Sequence, residues 1–532
     1  MTLLRSALAV GSNTLFSRIA GFMRDILIAR FLGAGTYADI WVAAFRFPNL
    51  FRRVIAEGAF SAAFIPVYGR LVQQDGQDKA NHFTGNILSL VGLWVFIGII
   101  ILQLLMPYLI YLFTPGYSDG LMQWIQDFIN YLLYQEPFPE ALNLSNDDKI
   151  DLTISLTILC MPYAGFMFLT ALMSSLLNYH NKFGVPAFTP TLLNLTLVAA
   201  LLTAAYFDYD PLWALGYGVF ISGILQVLWL YVALRLNHIQ FKFGRITTDN
   251  NILHFKKLFW PGMISGGVTQ INILTGSLIA SFQSGAMSYL YYADRIYQLP
   301  LGVVGVTLGI VLLPTLVKHL EQNQTNQAQN LMARTTEFAA FLTLPASFAL
   351  IMIPYDVTAL LFEYGAFSAN DTLHVGRTLV IYGIGLPAFI LIKLYAPGYY
   401  AKHNTKTPMI YAGYSMGTNI FLGFALFPFI GFYAVPTGTV VAAWQNVVFL
   451  YLGLRKNGLI IFDDDLKTRL KKIILACCAM GGVLLMLKIF MRQSSPLQYI
   501  IIILAGCVSY FIIAYLLAIF TKTSFKSYTS KQ

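Results

Sequence analysis

Apolar runs long enough to cross a bilayer recur fourteen times along these 532 residues, and this repetition restricts the chain's folding more than any other feature. Hydrocarbon offers the backbone no water to bond, so each run must satisfy its own N–H and C=O groups, as a helix does. The predicted spans are 8–31, 37–68, 83–113, 152–178, 186–206, 212–233, 259–282, 289–317, 336–361, 373–395, 408–429, 432–453, 473–491 and 497–520. Pro48 and Pro300 lie inside the second and eighth, where a kink or hinge is expected.

With 57% of residues hydrophobic and 11% charged, no stretch remains for a soluble domain, and the fold class is an all-α polytopic membrane protein. Cys160, Cys477, Cys478 and Cys507 all sit in apolar segments, which argues for packing rather than a disulfide framework or a metal site. Arg18, Arg24 and Asp25 interrupt the first run and no small-residue cleavage site follows it, so it is read as a retained helix rather than a leader.

Loop charge orients the spans, because lysine and arginine accumulate on the cytoplasmic side. Connections after even-numbered spans are basic, with Arg70 and Lys79, Lys182, Arg235 to Lys257, Lys318, Lys402 and Lys406, and then Arg455 to Lys472. Connections after odd-numbered spans are nearly free of such residues. The longest carries Asp119, Asp127, Glu136, Glu140, Asp147, Asp148 and Asp151 against Lys149 alone. Both termini are therefore predicted to be cytoplasmic. The same bias explains the net charge of +10, so no nucleic-acid partner is expected.

The chain also echoes itself. Gly33-Ala34-Gly35-Thr36-Tyr37 opens the second span and Gly285-Ala286-Met287-Ser288-Tyr289 the eighth, each followed by an arginine and a proline (Arg46 with Pro48, Arg295 with Pro300). A second echo pairs the turn before Pro186 with the turn before Pro408. The separation falls from about 250 residues to 222 between the two pairs, a difference that the long acidic loop supplies. Two six-span halves are predicted, 1–235 and 236–455, followed by a two-span pair and tail, 456–532.

Charge inside the first two spans marks the candidate site. One arginine at the bilayer centre costs about 2.5 to 3.5 kcal/mol, so a group of them must face water or an anion rather than lipid. On the second span Asp39, Arg46, Asn49, Arg53 and Glu57 recur at helical spacing, with Arg52 beside them. On the first, Arg18, Gly21 and Asp25 share a face, Arg24 is turned roughly a third of a circle away, and Gly11 and Gly21 permit close helix approach. Asp294 and Arg295 follow the aromatic run Tyr289 to Tyr292. A snorkelling, interfacial reading stays open for Arg46, Arg52 and Arg53. Asp25, Asp39, Glu57 and Asp294 are read as counter-ions, because a carboxylate repels an anionic ligand. Clustered guanidiniums bind phosphate and pyrophosphate oxygens in pairs, so the expected substrate is anionic.

At these residues the chain resembles the MurJ (MviN) family of lipid II flippases. The matching stretches are Ser17-Arg18, Gly21-Phe22-Met23-Arg24-Asp25, Phe47-Pro48-Asn49-Leu50-Phe51-Arg52-Arg53 and Ala56-Glu57-Gly58-Ala59-Phe60-Ser61. Others are Tyr291-Tyr292-Ala293-Asp294-Arg295, Leu313-Pro314, the run from Pro186 to Asn194, and Ala396-Pro397-Gly398-Tyr399-Tyr400. The resemblance covers spans one to twelve; the last two spans match in hydropathy alone.

It implies a fourteen-helix fold of the multidrug/oligosaccharidyl-lipid/polysaccharide exporter superfamily, alternating access between two lobes, and a lipid-tail groove formed by the last two helices. By motif, Arg18, Arg24, Arg52 and Arg295 would bind the diphosphate and sugar headgroup, with Ser17, Asp25, Asp39, Asn49, Arg53, Glu57 and Asp294 in support. The implied role is export of the lipid-linked peptidoglycan precursor across a bacterial inner membrane in cell-wall biogenesis. The implied partners are lipid II, membrane lipids and the cell-wall synthesis machinery. No cofactor is expected, and the membrane potential can drive such a step. Some family members hold sodium between carboxylates of the second lobe, whereas the corresponding helices here offer Gln270, Asn272, Asn419 and Thr439, which argues against a sodium site.

Two rivals remain at this stage. A drug or ion antiporter, or another polyprenyl-linked oligosaccharide flippase, would share the superfamily. A membrane-embedded glycosyltransferase would need the acids between Asp119 and Asp151 as its catalytic region, and no metal-ligand spacing occurs there. Primary ATP-driven transport is disfavoured, since no glycine-rich phosphate loop is present.

Overall fold

The computed structural model describes residues 3–53, 59–117, 146–239, 249–460, 463–491, 495–517 and 519. Among them the regular structure is helical throughout. In chain order the helices are α1 (Leu3–Leu32), α2 (Thr36–Phe51), α3 (Ala59–Gln74), α4 (Gln77–Phe113), α5 (Asn146–Cys160), α6 (Pro162–Tyr179), α7 (Gly184–Phe207), α8 (Pro211–Leu236) and α9 (Asn250–Ser281). They continue with α10 (Ala286–Glu321), α11 (Thr325–Met352), α12 (Pro354–Phe362), α13 (Ala369–Tyr400), α14 (Lys406–Ile430), α15 (Ala434–Lys456), α16 (Asp464–Phe490) and α17 (Pro496–Leu516). Single 3₁₀ turns occupy Pro115–Tyr117 and Gly431–Tyr433.

Helix ends are set by recognisable chemistry. Asp210, Asp249, Asp463 and Ser495 accept the first free amides of α8, α9, α16 and α17, and Ser368 with Asp371 forms a reciprocal capping box on α13. Proline opens α6, α8, α12 and α17, where its missing N–H costs nothing.

Nine helical stretches among the described residues are long and apolar enough to cross a bilayer; one of them, Lys406–Lys456, contains both α14 and α15. The first, second, seventh and eighth predicted spans fall outside that set, yet helix occupies their described residues too. The second is divided: α2 and α3 are 16 residues each, and Arg52 and Arg53 extend α2 as a widened, π-type turn. Pro48 lies one turn before that widening, and its ring removes a ladder hydrogen bond. At Pro300 the helix does not break; α10 runs on through both Pro300 and Pro314.

By internal contact the chain forms two compact units, Met1–Ser288 and Tyr289–Gln532. In the first, α7 packs between α1 and α8, while α3 packs on α4, α6 and α9. Its core is aromatic, with Phe60 at the centre touching Phe64, Phe168, Phe255 and Phe259. In the second, α13 packs on α11 and α15, and the α16–α17 pair packs on α11.

The internal echo is visible in the backbone. Of eleven described residues with left-handed torsions, ten fall into five pairs: Gly33 with Gly285, Gly76 with Asn323, Asn181 with His403, Asp208 with Gly431, and His238 with Gly458. Their separations are 252 and 247 residues before the acidic loop, then 222, 223 and 220 after it. The step thus falls where the extra loop residues do.

Candidate functional site

The most completely built polar constellation lies where α1 meets α7. Consecutive residues on a helix point about 100° apart, so Arg24 and Asp25 leave α1 in different directions. The long arginine stem closes that gap: Arg24 Nε and Nη2 both donate to Asp25 Oδ1, at 2.9 and 2.6 Å. From α7, Asn194 Oδ1 accepts Arg24 Nη1 at 2.8 Å, and Asn194 Nδ2 donates to the Ser17 carbonyl at 2.9 Å. All three side chains are buried, with Arg24 at 8%, Asp25 at 2% and Asn194 at 8% of full exposure. A buried ion pair survives its loss of water only when further hydrogen bonds satisfy it, and Asn194 provides one.

Gly21 permits this approach, because a Cβ there would stand 3.1 Å from Asn194 Nδ2. Gly11, the other small residue expected to admit a neighbour, has nothing within 4 Å of such a Cβ, so close approach occurs at Gly21 and not at Gly11.

On α2 the predicted stripe separates into distinct contacts. Arg52 Nε donates to Asn49 Oδ1 at 2.9 Å, and Arg46 Nη1 reaches the Ile273 carbonyl of α9 at 3.4 Å. Arg53 is half-buried in the widened turn. Asp39 is fully buried and accepts the backbone amides of Gly285 at 2.7 Å and Ser288 at 2.9 Å, at the N-terminal turn of α10. A carboxylate there satisfies amides that have no partner within the helix. Lys149, from the start of α5, is close enough to Asp39 to interact by charge, and its Nζ lies 3.9 Å from the centre of the Tyr117 ring.

Of the other predicted residues, Arg18 is exposed on α1, and Ser17 takes part through its carbonyl. In the second unit, Arg295 lies over the Tyr291 ring at 4.6 Å, and Asp294 accepts from Gln298. Glu57 and the acids from Asp119 to Glu140 lie outside the described residues, and Asp147 falls in the first turn of α5. Thr439 donates to Asn419 at 3.3 Å in the second unit, while Gln270 and Asn272 belong to α9 of the first. Among the described residues no group of three or more His, Cys, Asp or Glu could hold a metal ion.

Asn194 is the participant that spacing missed. It lies 170 residues from Arg24 in sequence; it closes the Pro186 to Asn194 stretch of the resemblance, but nothing in the spacing ties it to Arg24.

The fold defines the class: an all-α polytopic membrane protein, here with a buried guanidinium held where α1 meets α7. Residues 28–505 match the family described as Lipid II flippase MurJ. A "Probable lipid II flippase MurJ" of Rhizobium tropici is 40% identical over 493 residues, covering 92% of this chain and 87% of that one. A solved structure titled "Lipid II flippase MurJ, inward closed conformation" superposes with a TM-score of 0.76 at 25% identity, over 96% of this chain and 99% of its own. A multidrug resistance MATE transporter of the MOP superfamily, inward-facing, shares the fold at a TM-score of 0.63 and 13% identity, over 85% of this chain and 98% of its own. The chain belongs to the lipid II flippase MurJ family.

Proposed function

We propose that this protein carries lipid II from the cytoplasmic to the periplasmic leaflet of a bacterial inner membrane, as a flippase that moves its cargo without transforming it. The observation that supports this reading most directly is the Arg24 guanidinium, buried and held from two sides by Asp25 and Asn194. A guanidinium fixed in advance binds a diphosphate with less loss of side-chain freedom than a mobile one.

In this reading Arg18, Arg24, Arg52 and Arg295 take the diphosphate and sugar headgroup, while the polyprenyl tail stays in lipid. Both termini are cytoplasmic. The segments 1–235 and 236–455 alternate access, with 456–532 alongside, and the Pro48 and Pro300 regions flex. A potential of about 100 mV contributes about 2.3 kcal/mol per charge moved fully across, in the direction that exports an anion. Cell-wall synthesis enzymes are the natural partners, since they consume the exported precursor.

The test is depletion of the protein in its host, complemented with wild type, Arg24→Ala or Arg295→Ala, followed by assay of lipid II exposed at the periplasmic face. Wild type restores exposure and both variants fail to. Normal flipping by both variants would remove the headgroup assignment.

A further inference from the structure

We propose that Asn194 is a positioning residue for Arg24: a neutral anchor that fixes the guanidinium for an anionic headgroup without placing a second negative charge beside it. The proposal rests on the headgroup reading above and adds to it a residue on a different helix.

The amide's two ends have fixed roles. Oδ1 faces a guanidinium that only donates, and Nδ2 faces the Ser17 carbonyl that only accepts. Turning the amide over would set donor against donor and acceptor against acceptor, so the network permits one orientation. The side chain lies across the bare backbone at Gly21 and reaches along α1 from Ser17 to Arg24, seven residues or about two turns. Arg24 is thereby held against α7 as well as against its neighbour on α1.

The choice of amide over carboxylate has an electrostatic meaning. Asp25 already offsets the Arg24 charge, with its Oδ1 2.6 Å from Nη2. An aspartate at 194 would still accept from Arg24, but the local charge would become net negative and repel a diphosphate, and its second oxygen would meet the Ser17 carbonyl. A hydrophobic residue would remove the hydrogen bond that Arg24 makes to α7 through Asn194. Asparagine holds the arginine and preserves its attraction for an anion.

The test uses the full-length protein in nanodiscs, titrated with undecaprenyl diphosphate and, separately, with lipid II. Wild type, Asn194→Ala, Asn194→Asp and Asn194→Gln are compared, each with and without Arg24→Ala, and thermal midpoints are recorded alongside. Asn194→Ala is expected to weaken diphosphate binding about ten-fold, the loss of one charge-assisted hydrogen bond. Asn194→Asp, nearly isosteric, is expected to weaken it at least as much while keeping its thermal midpoint closer to wild type. Asn194→Gln, with the same polar groups, is expected to recover part of the binding.

In the Arg24→Ala background, Asn194→Ala is expected to add nothing. An equal fold-loss in both backgrounds would overturn the proposal, as would wild-type affinity in Asn194→Asp. Should Asn194→Ala fail to fold, the Asp and Gln variants carry the same comparison. Wild type that binds the diphosphate but does not translocate lipid II would sink the cargo assignment and leave the cycle readable. Wild type that binds no diphosphate would overturn the positioning role along with it.

Discussion

Asp39 and Ser288 stand 249 residues apart in sequence and meet at 2.9 Å, the buried carboxylate of one accepting the backbone amide of the other. The same carboxylate takes the Gly285 amide, so a side chain from α2 serves the N-terminal turn of α10.

Asp39→Asn should therefore destabilise the protein. The substituted amide can accept one of the two N–H groups but presents a donor to the other, and a hydrogen bond to a charged group contributes about 1.5 to 3 kcal/mol. Lys149, itself buried, also loses its nearby opposite charge. Thermal unfolding of Asp39→Asn, Lys149→Met and the double variant should show the double to be less damaging than the two losses combined.

Two ion pairs fasten α16 in the second unit, and they should differ in weight. Glu337, only 4% exposed, accepts Arg334 at 3.1 Å and Arg469 at 3.2 Å. Lys488 pairs with Asp356 at 2.9 Å, but its side chain is 40% exposed. Glu337→Ala should cost about 1.5 to 3 kcal/mol, because it removes a buried acceptor from two guanidiniums whose side chains are 40% and 23% exposed, whereas Asp356→Asn should cost about 1 kcal/mol or less. Hydrogen exchange at the start of α16 should rise in the first variant and stay near wild type in the second.

Gly21→Ala separates site geometry from helix stability. Alanine favours the helix by about 1 kcal/mol over glycine, yet its Cβ would press on Asn194 Nδ2 at 3.1 Å. Diphosphate binding should fall while the thermal midpoint holds or rises. Gly11→Ala, with open space around it, should leave binding unchanged.

The turn between α6 and α7 should confer a pH dependence. Burial, and then the charge of Lys182, hold the His180 imidazole below its ordinary value of 6.5, and its Nε2 is buried without a hydrogen-bond partner. The folded form keeps His180 neutral where the unfolded chain takes up a proton. Its contribution is complete above pH 6.5 and is lost as the pH falls through the lowered folded value. Thermal midpoints between about pH 7.5 and about pH 5.5 should decline less steeply for His180→Gln than for wild type.

Helix position was highly legible in this sequence, because bilayer-length apolar runs leave the backbone one local solution. The echo between Gly33 and Gly285 was legible as well: both glycines take a left-handed backbone, φ 66° and 78°. Contacts across helices were not. Spacing along α2 placed Asp39 in one stripe with Arg46, but its hydrogen bonds go to backbone amides far along the chain. Helical spacing likewise set Arg24 apart from Asp25, because it tracks where side chains leave the helix and not how far an arginine reaches. The Asn194 contact depends on how α1 and α7 pack, which neither helix encodes alone.

The adjacency of Arg24 and Asp25 has a consequence for turnover. A carrier must let its passenger go, and a bare guanidinium at low dielectric would grip a diphosphate hard enough to stall the cycle. Under the proposed headgroup role, an aspartate one residue away would compete for that positive charge throughout and take it back when the passenger departs. Affinity would thereby be tempered toward an exchange that runs in both halves of the stroke, capture and surrender alike.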